Sequence, residues 1–147
     1  MDRIFTVTVR DCICCGKCEL ACAFSHARNG VPGESRIAIT RRGVEAGTPV
    51  VCFQCDEAAC VTVCPTDALI RNEATGAIDV DYAKCIGCRM CVPACPFGNM
   101  QFDANFQIVQ KCDLCGGNPA CVPFCPTKAI DYKPAHVVLG RSLKRTG

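Results

Sequence analysis

The segment Cys85-Ile86-Gly87-Cys88-Arg89-Met90-Cys91-Val92-Pro93-Ala94-Cys95-Pro96 places three cysteines at every third residue, a fourth four residues on, and a proline directly after. A short loop of this kind can wrap three corners of an iron–sulfur cubane, with backbone amides facing the sulfurs. The fourth cysteine begins an extended turn and points toward a neighbouring cluster. Working outward, the pattern recurs. Cys12, Cys15, Cys18 and Cys22 repeat the same spacing, without the proline. Cys52, Cys55, Cys60 and Cys64 lengthen the middle gap and keep the proline, Pro65. Cys112, Cys115, Cys121 and Cys125 lengthen it by one more residue and end on Pro126. Sixteen of the 17 cysteines in the 147-residue chain fall into these four groups.

Two other uses of cysteine compete with this reading. A zinc site needs two CxxC pairs and has no use for a third cysteine or a trailing Cys-Pro. A disulfide scaffold calls for an exported chain, but Met1–Arg10 alternates like a strand and carries no apolar signal region. Arg41-Arg42 is internal, and no run approaches the length of a membrane span. The expected compartment is the cytoplasm, where structural disulfides are rare. The seventeenth thiol, Cys14, breaks the register shared with the third group if it replaces Cys15. It is expected to be a small residue beside the cluster and not a ligand; the alternative is a spare ligand or redox-sensitive thiol.

A net charge of +2 excludes a strongly basic nucleic-acid binder. With no Trp and nine Phe and Tyr, an ordinary apolar core would be thin, and the cysteine groups must cross-link the fold. Cys64–Ile70 and Cys125–Asp131 are close copies, and Cys95–Phe102 is a looser one. Each Cys-Pro is expected to open a short helical turn that runs into a strand. Residues 72–80 read as a turn and strand of a hairpin around Gly76, and 36–40 as a further strand. No nucleophile–base pair and no glycine-rich phosphate loop is evident, and the only histidines, His26 and His136, read as exposed or capping residues. The chain is therefore expected to be a wire and not an enzyme by itself. Four oxidised cubanes would bring about eight negative charges, and Lys17, Lys84, Arg89 and Lys111 lie in or beside the cysteine groups, where they could offset them.

From about Val7 to Tyr132 the chain resembles the four-cluster ferredoxin-like electron-transfer subunits of molybdenum and tungsten oxidoreductases. The compact length is most similar to the small subunit of a tungsten aldehyde oxidoreductase. The resemblance implies an α+β fold of two nested ferredoxin-like units, each a βαβ pseudo-repeat around two 4Fe-4S cubanes. Residues 1–45 with 109–132 would form the outer unit, 46–108 the inner unit, and 133–147 a C-terminal tail, either flexible or a docking arm. It also implies four ligand sets: Cys12, Cys15, Cys18 and Cys125 for cluster 1; Cys112, Cys115, Cys121 and Cys22 for cluster 2; Cys52, Cys55, Cys60 and Cys95 for cluster 3; and Cys85, Cys88, Cys91 and Cys64 for cluster 4. The implied partners are a tungsten- or molybdenum-cofactor catalytic subunit and an FAD- or NAD-linked flavoprotein. Further copies of this chain could join through Val137, Val138 and Leu139 with the basic end at Arg141, Lys144 and Arg145. The alternatives are a freely diffusing polyferredoxin and a subunit of a carbon monoxide dehydrogenase or hydrogenase-type complex.

Overall fold

The computed structural model describes residues 3–43 and 46–142. Among the described residues, eight short strands pair as four separate two-stranded antiparallel sheets. β1 (Arg3–Val7) pairs with β8 (Ile130–Pro134), in register from Arg3 opposite Pro134 to Val7 opposite Ile130. β2 (Ala38–Arg42) pairs with β3 (Ala46–Val50), β4 (Leu69–Arg71) with β5 (Ile78–Val80), and β6 (Gln101–Asp103) with β7 (Ile108–Gln110). Among the described residues there are also four α-helices, α1 (Lys17–Ser25), α2 (Ala59–Thr62), α3 (Cys91–Ala94) and α4 (Ala135–Ser142), and two 3-10 turns, Val9–Asp11 and Leu114–Gly117. The fold is a small α+β one, with α2 between β3 and β4 and α3 between β5 and β6.

Left-handed backbone recurs at matching places in the cysteine loops. In each CxxC opening the residue before the second cysteine has positive φ: Cys14 at 56°, Gln54 at 52°, Gly87 at 70° and Leu114 at 55°. Only Gly87 adopts this freely; the other three are held at a cost of about 1–2 kcal/mol each. Such alternation makes successive N–H groups converge on one point, an anion-binding nest. The Cys-Pro segments repeat a second version of it, with Asp67 at 51° and Lys128 at 53°.

Two main packed cores form. Ile37, Ile39, Val51 and Ile130 surround Cys18, Cys22 and Cys121, with Cys12, Cys14, Cys112 and Cys125 against them. Leu69, Ile78, Met100 and Val109 surround Cys91, with Cys55, Cys60, Cys64, Cys85 and Cys95 packed on them. Ile37, Ile78 and Ile130 are almost fully buried, and each contributes about 1.5–3 kcal/mol of transfer free energy. The first core draws on both ends of the chain and the second on its middle.

Several elements differ from the sequence reading. The boundary expected at 45/46 falls between paired strands β2 and β3, and that at 108/109 falls inside β7. Val51 packs in the core of the outer groups, so hairpin β2–β3 goes with them. The strand expected at 36–40 is shifted to 38–42, because the backbone N–H of Arg36 donates to Cys22 Sγ at 3.2 Å instead of to a strand. The N-terminal strand spans Arg3–Val7. The tail begins as the end of β8 and continues as α4; Lys144 and Arg145 lie outside the described residues. The hairpin around Gly76 is found between β4 and β5.

Candidate iron–sulfur centres

All 17 cysteines carry free thiols, and the fold collects them in small groups. One cavity is lined by Cys52, Cys55, Cys60 and Cys95, together with Asn99 and Lys111. A second is lined by Cys12, Cys15, Cys18 and Cys125, among Ile13, Ile39, Pro49 and Ile130. Cys14 lines this second cavity too, and its sulfur presses on Gly47, where any Cβ would collide with it.

Around Cys121, burial pushes the thiol well above its ordinary value, and the neighbouring thiols of Cys112, Cys22, Cys115 and Cys18 push it further. Cys91 is pushed up to about 11 by burial, with Cys88, Cys85 and Cys60 adding to it. Cys112 is pushed up to about 12 by burial, and Cys52 contributes. Neighbouring thiols thus link the four cysteine groups in a row: Cys18 to Cys121, Cys112 to Cys52, and Cys60 to Cys91.

The closing cysteines behave differently. At Cys64 and Cys125 burial raises the thiol, but backbone N–H groups outweigh it and lower the pKa. The donors include the N–H of Ala68 at 3.3 Å from Cys64 Sγ and that of Ala129 at 3.2 Å from Cys125 Sγ. These amides belong to the positive-φ turns after each Cys-Pro. They favour the thiolate, the form that binds metal.

Cys22 has no following proline and is held by another device. His26 Nδ1 lies 2.9 Å from the Cys22 carbonyl and 3.8 Å from its sulfur, while Nε2 lies 3.3 Å from both carboxylate oxygens of Asp113. Arg36 donates to the same carboxylate at 2.7 Å, and Asp113 accepts from the Cys115 N–H at 2.9 Å. The Asp113 hydrogen bond, with those to Cys115 and Cys22, pushes His26 up to about 12. At Asp113, burial opposes ionisation, but His26 and Arg36 overcome it and hold the carboxyl well below its usual range. His26 was expected to be exposed or capping; it is half-buried and ties the first and fourth cysteine groups together. Sequence reading missed Arg36 and Asp113, whose only signal was that Asp113 takes a loop position held by Ile13, Phe53 and Ile86 in the other groups. His136 is exposed, as expected.

Of the four cations proposed to face the clusters, Lys111 alone is buried. Its ammonium donates to Gln54 Oε1 at 2.9 Å, to the Ile78 carbonyl at 2.6 Å and to the Cys112 carbonyl at 2.8 Å. Lys17 is exposed, Lys84 reaches Asp81 at 3.9 Å, and Arg89 stacks over the Phe102 ring at 3.5 Å.

These residues fit iron–sulfur clusters. Burial at Cys18, Cys91, Cys112 and Cys121 disfavours the bare thiolate, and a bound metal cation would favour it there. Asn99 Nδ2 is a buried donor with no partner among the described residues, on the wall of the Cys52–Cys95 cavity. It fits an acceptor such as cluster sulfur.

Comparison with known proteins agrees with this chemistry. Residues 46–134 match the 4Fe-4S dicluster domain. YsaA of Escherichia coli strain K12 is 42% identical over 99% of this chain and 98% of that protein. The electron transport protein HydN of the same strain is 36% identical, covering 88% of this chain and 87% of HydN. The polyferredoxin-like subunit of the aliphatic sulfonate oxidoreductase of Pyrococcus furiosus is 41% identical, covering 84% of this chain and 72% of that subunit. The chain also matches a longer Escherichia coli protein, UacF, spanning 21% of its length.

Proposed function

Since the chain belongs to the 4Fe-4S dicluster domain family, we propose that it is the non-catalytic, iron–sulfur electron-transfer subunit of an oxidoreductase complex, carrying four 4Fe-4S clusters on sixteen cysteines. The observation that carries this is the sorting of the thiols: groups one and four pack in one core, groups two and three in the other. That sorting supports two nested units with the ligand sets Cys12, Cys15, Cys18 and Cys125; Cys112, Cys115, Cys121 and Cys22; Cys52, Cys55, Cys60 and Cys95; and Cys85, Cys88, Cys91 and Cys64. Each cluster, when bound, supplies one reversible electron at thiolate-held iron.

The chain's own residues do the rest. Positive-φ loops aim amides at the sulfurs, and Ile39, Ile78, Met100 and Ile130 keep water from the sites. The Arg36–Asp113–His26 network fixes the loop around Cys22 and Cys115. The contiguous row of thiol groups supports short steps between sites. Cys14 stays a non-ligand, packed on Gly47.

The catalytic partner in this reading is a molybdenum- or tungsten-cofactor subunit, with a flavoprotein as the other redox partner, all in the cytoplasm. No described helix is long and apolar enough to cross a membrane. The exposed Val137 on α4 is a point at which further copies could join. The decisive experiment is anaerobic purification from the native source, with iron and acid-labile sulfide counted in the chain and metals assayed in whatever co-purifies. About sixteen irons per chain is the expected result; mainly zinc in iron-replete preparations refutes the reading, and a chain that purifies alone favours a free polyferredoxin.

A further inference from the structure

We propose that the site of Cys52, Cys55, Cys60 and Cys95 is built to be more readily reduced than that of Cys12, Cys15, Cys18 and Cys125, with Asn99 as hydrogen-bond donor to its cluster and Lys111 as its fixed counter-charge. The inference rests on the reading that this site holds a 4Fe-4S cluster. Reduction there adds one electron and moves no proton, so any group that favours extra negative charge raises the potential.

Two independent features favour added negative charge at this site. Asn99 is 5% exposed, lines the cavity, and keeps one amide nitrogen without a partner among the described residues. Leaving such a donor unmade costs about 1–3 kcal/mol, which an acceptor in the cavity relieves, most of all a charged one. Lys111 is 3% exposed on the same wall. Its three N–H donors are spent on Gln54, Ile78 and Cys112, so the ammonium cannot swing away, and it acts by charge alone.

The cavity of Cys12, Cys15, Cys18 and Cys125 has the opposite character. The other residues lining it are Ile13, Cys14, Ile39, Pro49, Thr127, Ala129 and Ile130, without a charged side chain. Added negative charge is disfavoured there by the low local dielectric. One end of the row is therefore hard to reduce, and a middle position is easy. The middle site is where an electron would rest between the two exits.

The test is a dithionite titration of the whole iron-loaded chain, followed by electron paramagnetic resonance, with Asn99→Leu and Lys111→Met beside the unaltered protein. In both variants the same centre, not the last to reduce in the unaltered protein, should have its reduced-to-oxidised ratio lowered roughly tenfold at a given potential, a downward shift of about 59 mV. Lys111→Met should also lower the centre of Cys112, Cys115, Cys121 and Cys22; Asn99→Leu should leave it unmoved. Full iron with no centre shifted by both substitutions, or with the shifted centre the last of the four to reduce, overturns the inference while leaving the cluster reading intact. A shortfall of iron in the unaltered chain overturns both. If Asn99→Leu loses iron from this site alone, Lys111→Met decides by the same criterion.

Discussion

Replacing Asp103 tests how the two halves of the chain are held in register. This carboxylate is fully buried at the end of β6. It accepts from the N–H of Asn105 at 2.8 Å and of Phe106 at 3.1 Å within its own hairpin, and from the N–H of Glu34 at 3.0 Å across the seam. Gln110 makes a parallel tie, donating to the Glu34 carbonyl at 3.1 Å. Bonds to a charged acceptor are worth about 1.5–3 kcal/mol each, but Glu34 and Asn105 are exposed and water can replace part of what is lost. About 1 kcal/mol per bond, or about 3 kcal/mol in all, is expected for Asp103→Ala. Asp103→Asn keeps one acceptor oxygen and should cost about half of that.

Cluster-bearing chains unfold irreversibly, so the assay is the thermal midpoint of visible-absorbance loss at one fixed scan rate under argon. At about 2–4 °C per kcal/mol for a chain of this size, Asp103→Ala should fall by about 6–12 °C. The pH dependence has a definite sign. Burial opposes ionisation of Asp103, but the three N–H donors outweigh it and depress its pKa below the ordinary 3.8. Its contribution is therefore complete above about pH 4 and is lost as pH falls through the depressed value. The margin of the unaltered chain over Asp103→Asn should hold from pH 5 to 9 and close only in stronger acid. An alanine variant within about 2 °C of the parent would refute the reasoning.

Cys64→Ser should alter the cluster of Cys85, Cys88 and Cys91, leaving it lost, three-iron or shifted in potential; magnetic-resonance signals showing damage to the Cys52, Cys55 and Cys60 cluster instead would contradict the nested ligand sets. Cys14→Ser should keep about sixteen irons per chain by chemical analysis. Gly47→Ala brings a Cβ against Cys14 Sγ and within 2.8 Å of Ile39 Cγ2, an overpacking cost of about 1–3 kcal/mol. Adding Cys14→Ala should restore part of the lost thermal midpoint. Asp113→Ala unpairs Arg36 and His26 and should cost about 2 kcal/mol, discounted for its partial exposure; iron should drop toward about twelve per chain as the Cys22, Cys112, Cys115 and Cys121 site empties.

The cysteine spacing made the chemistry legible, because a cluster loop needs its ligands close together along the chain. The turn at Gly76 was legible for the same local reason. What escaped were ties between distant segments. Lys111 stood out as a cation beside Cys112, but nothing near it announced Ile78, 33 residues away, or Gln54, 57 residues away, as its acceptors. Asp113 lies 87 residues from His26, and neither residue type is rare enough to suggest the other. Helix α4 was hidden by Pro134, which reads as a stop yet closes β8 opposite Arg3.

The pairing of β1 with β8 sets a timetable for biosynthesis. On the ligand sets proposed above, Cys52 to Cys95 lie within one continuous stretch, so the inner sites can collect their ligands while later residues are still being added. The outer sites depend on Cys125 and on a strand whose partner was made more than 120 residues earlier. At ribosomal rates of about 5–20 residues per second, that separation is several seconds or more. During that interval Cys12, Cys15, Cys18 and Cys22 wait without the core that Ile130 completes. Oxidative damage to a newly made chain should therefore fall first on Cys12, Cys15, Cys18 and Cys22, and on the proposed ligand sets iron delivery to the outer pair waits until Cys125 and β8 have been made.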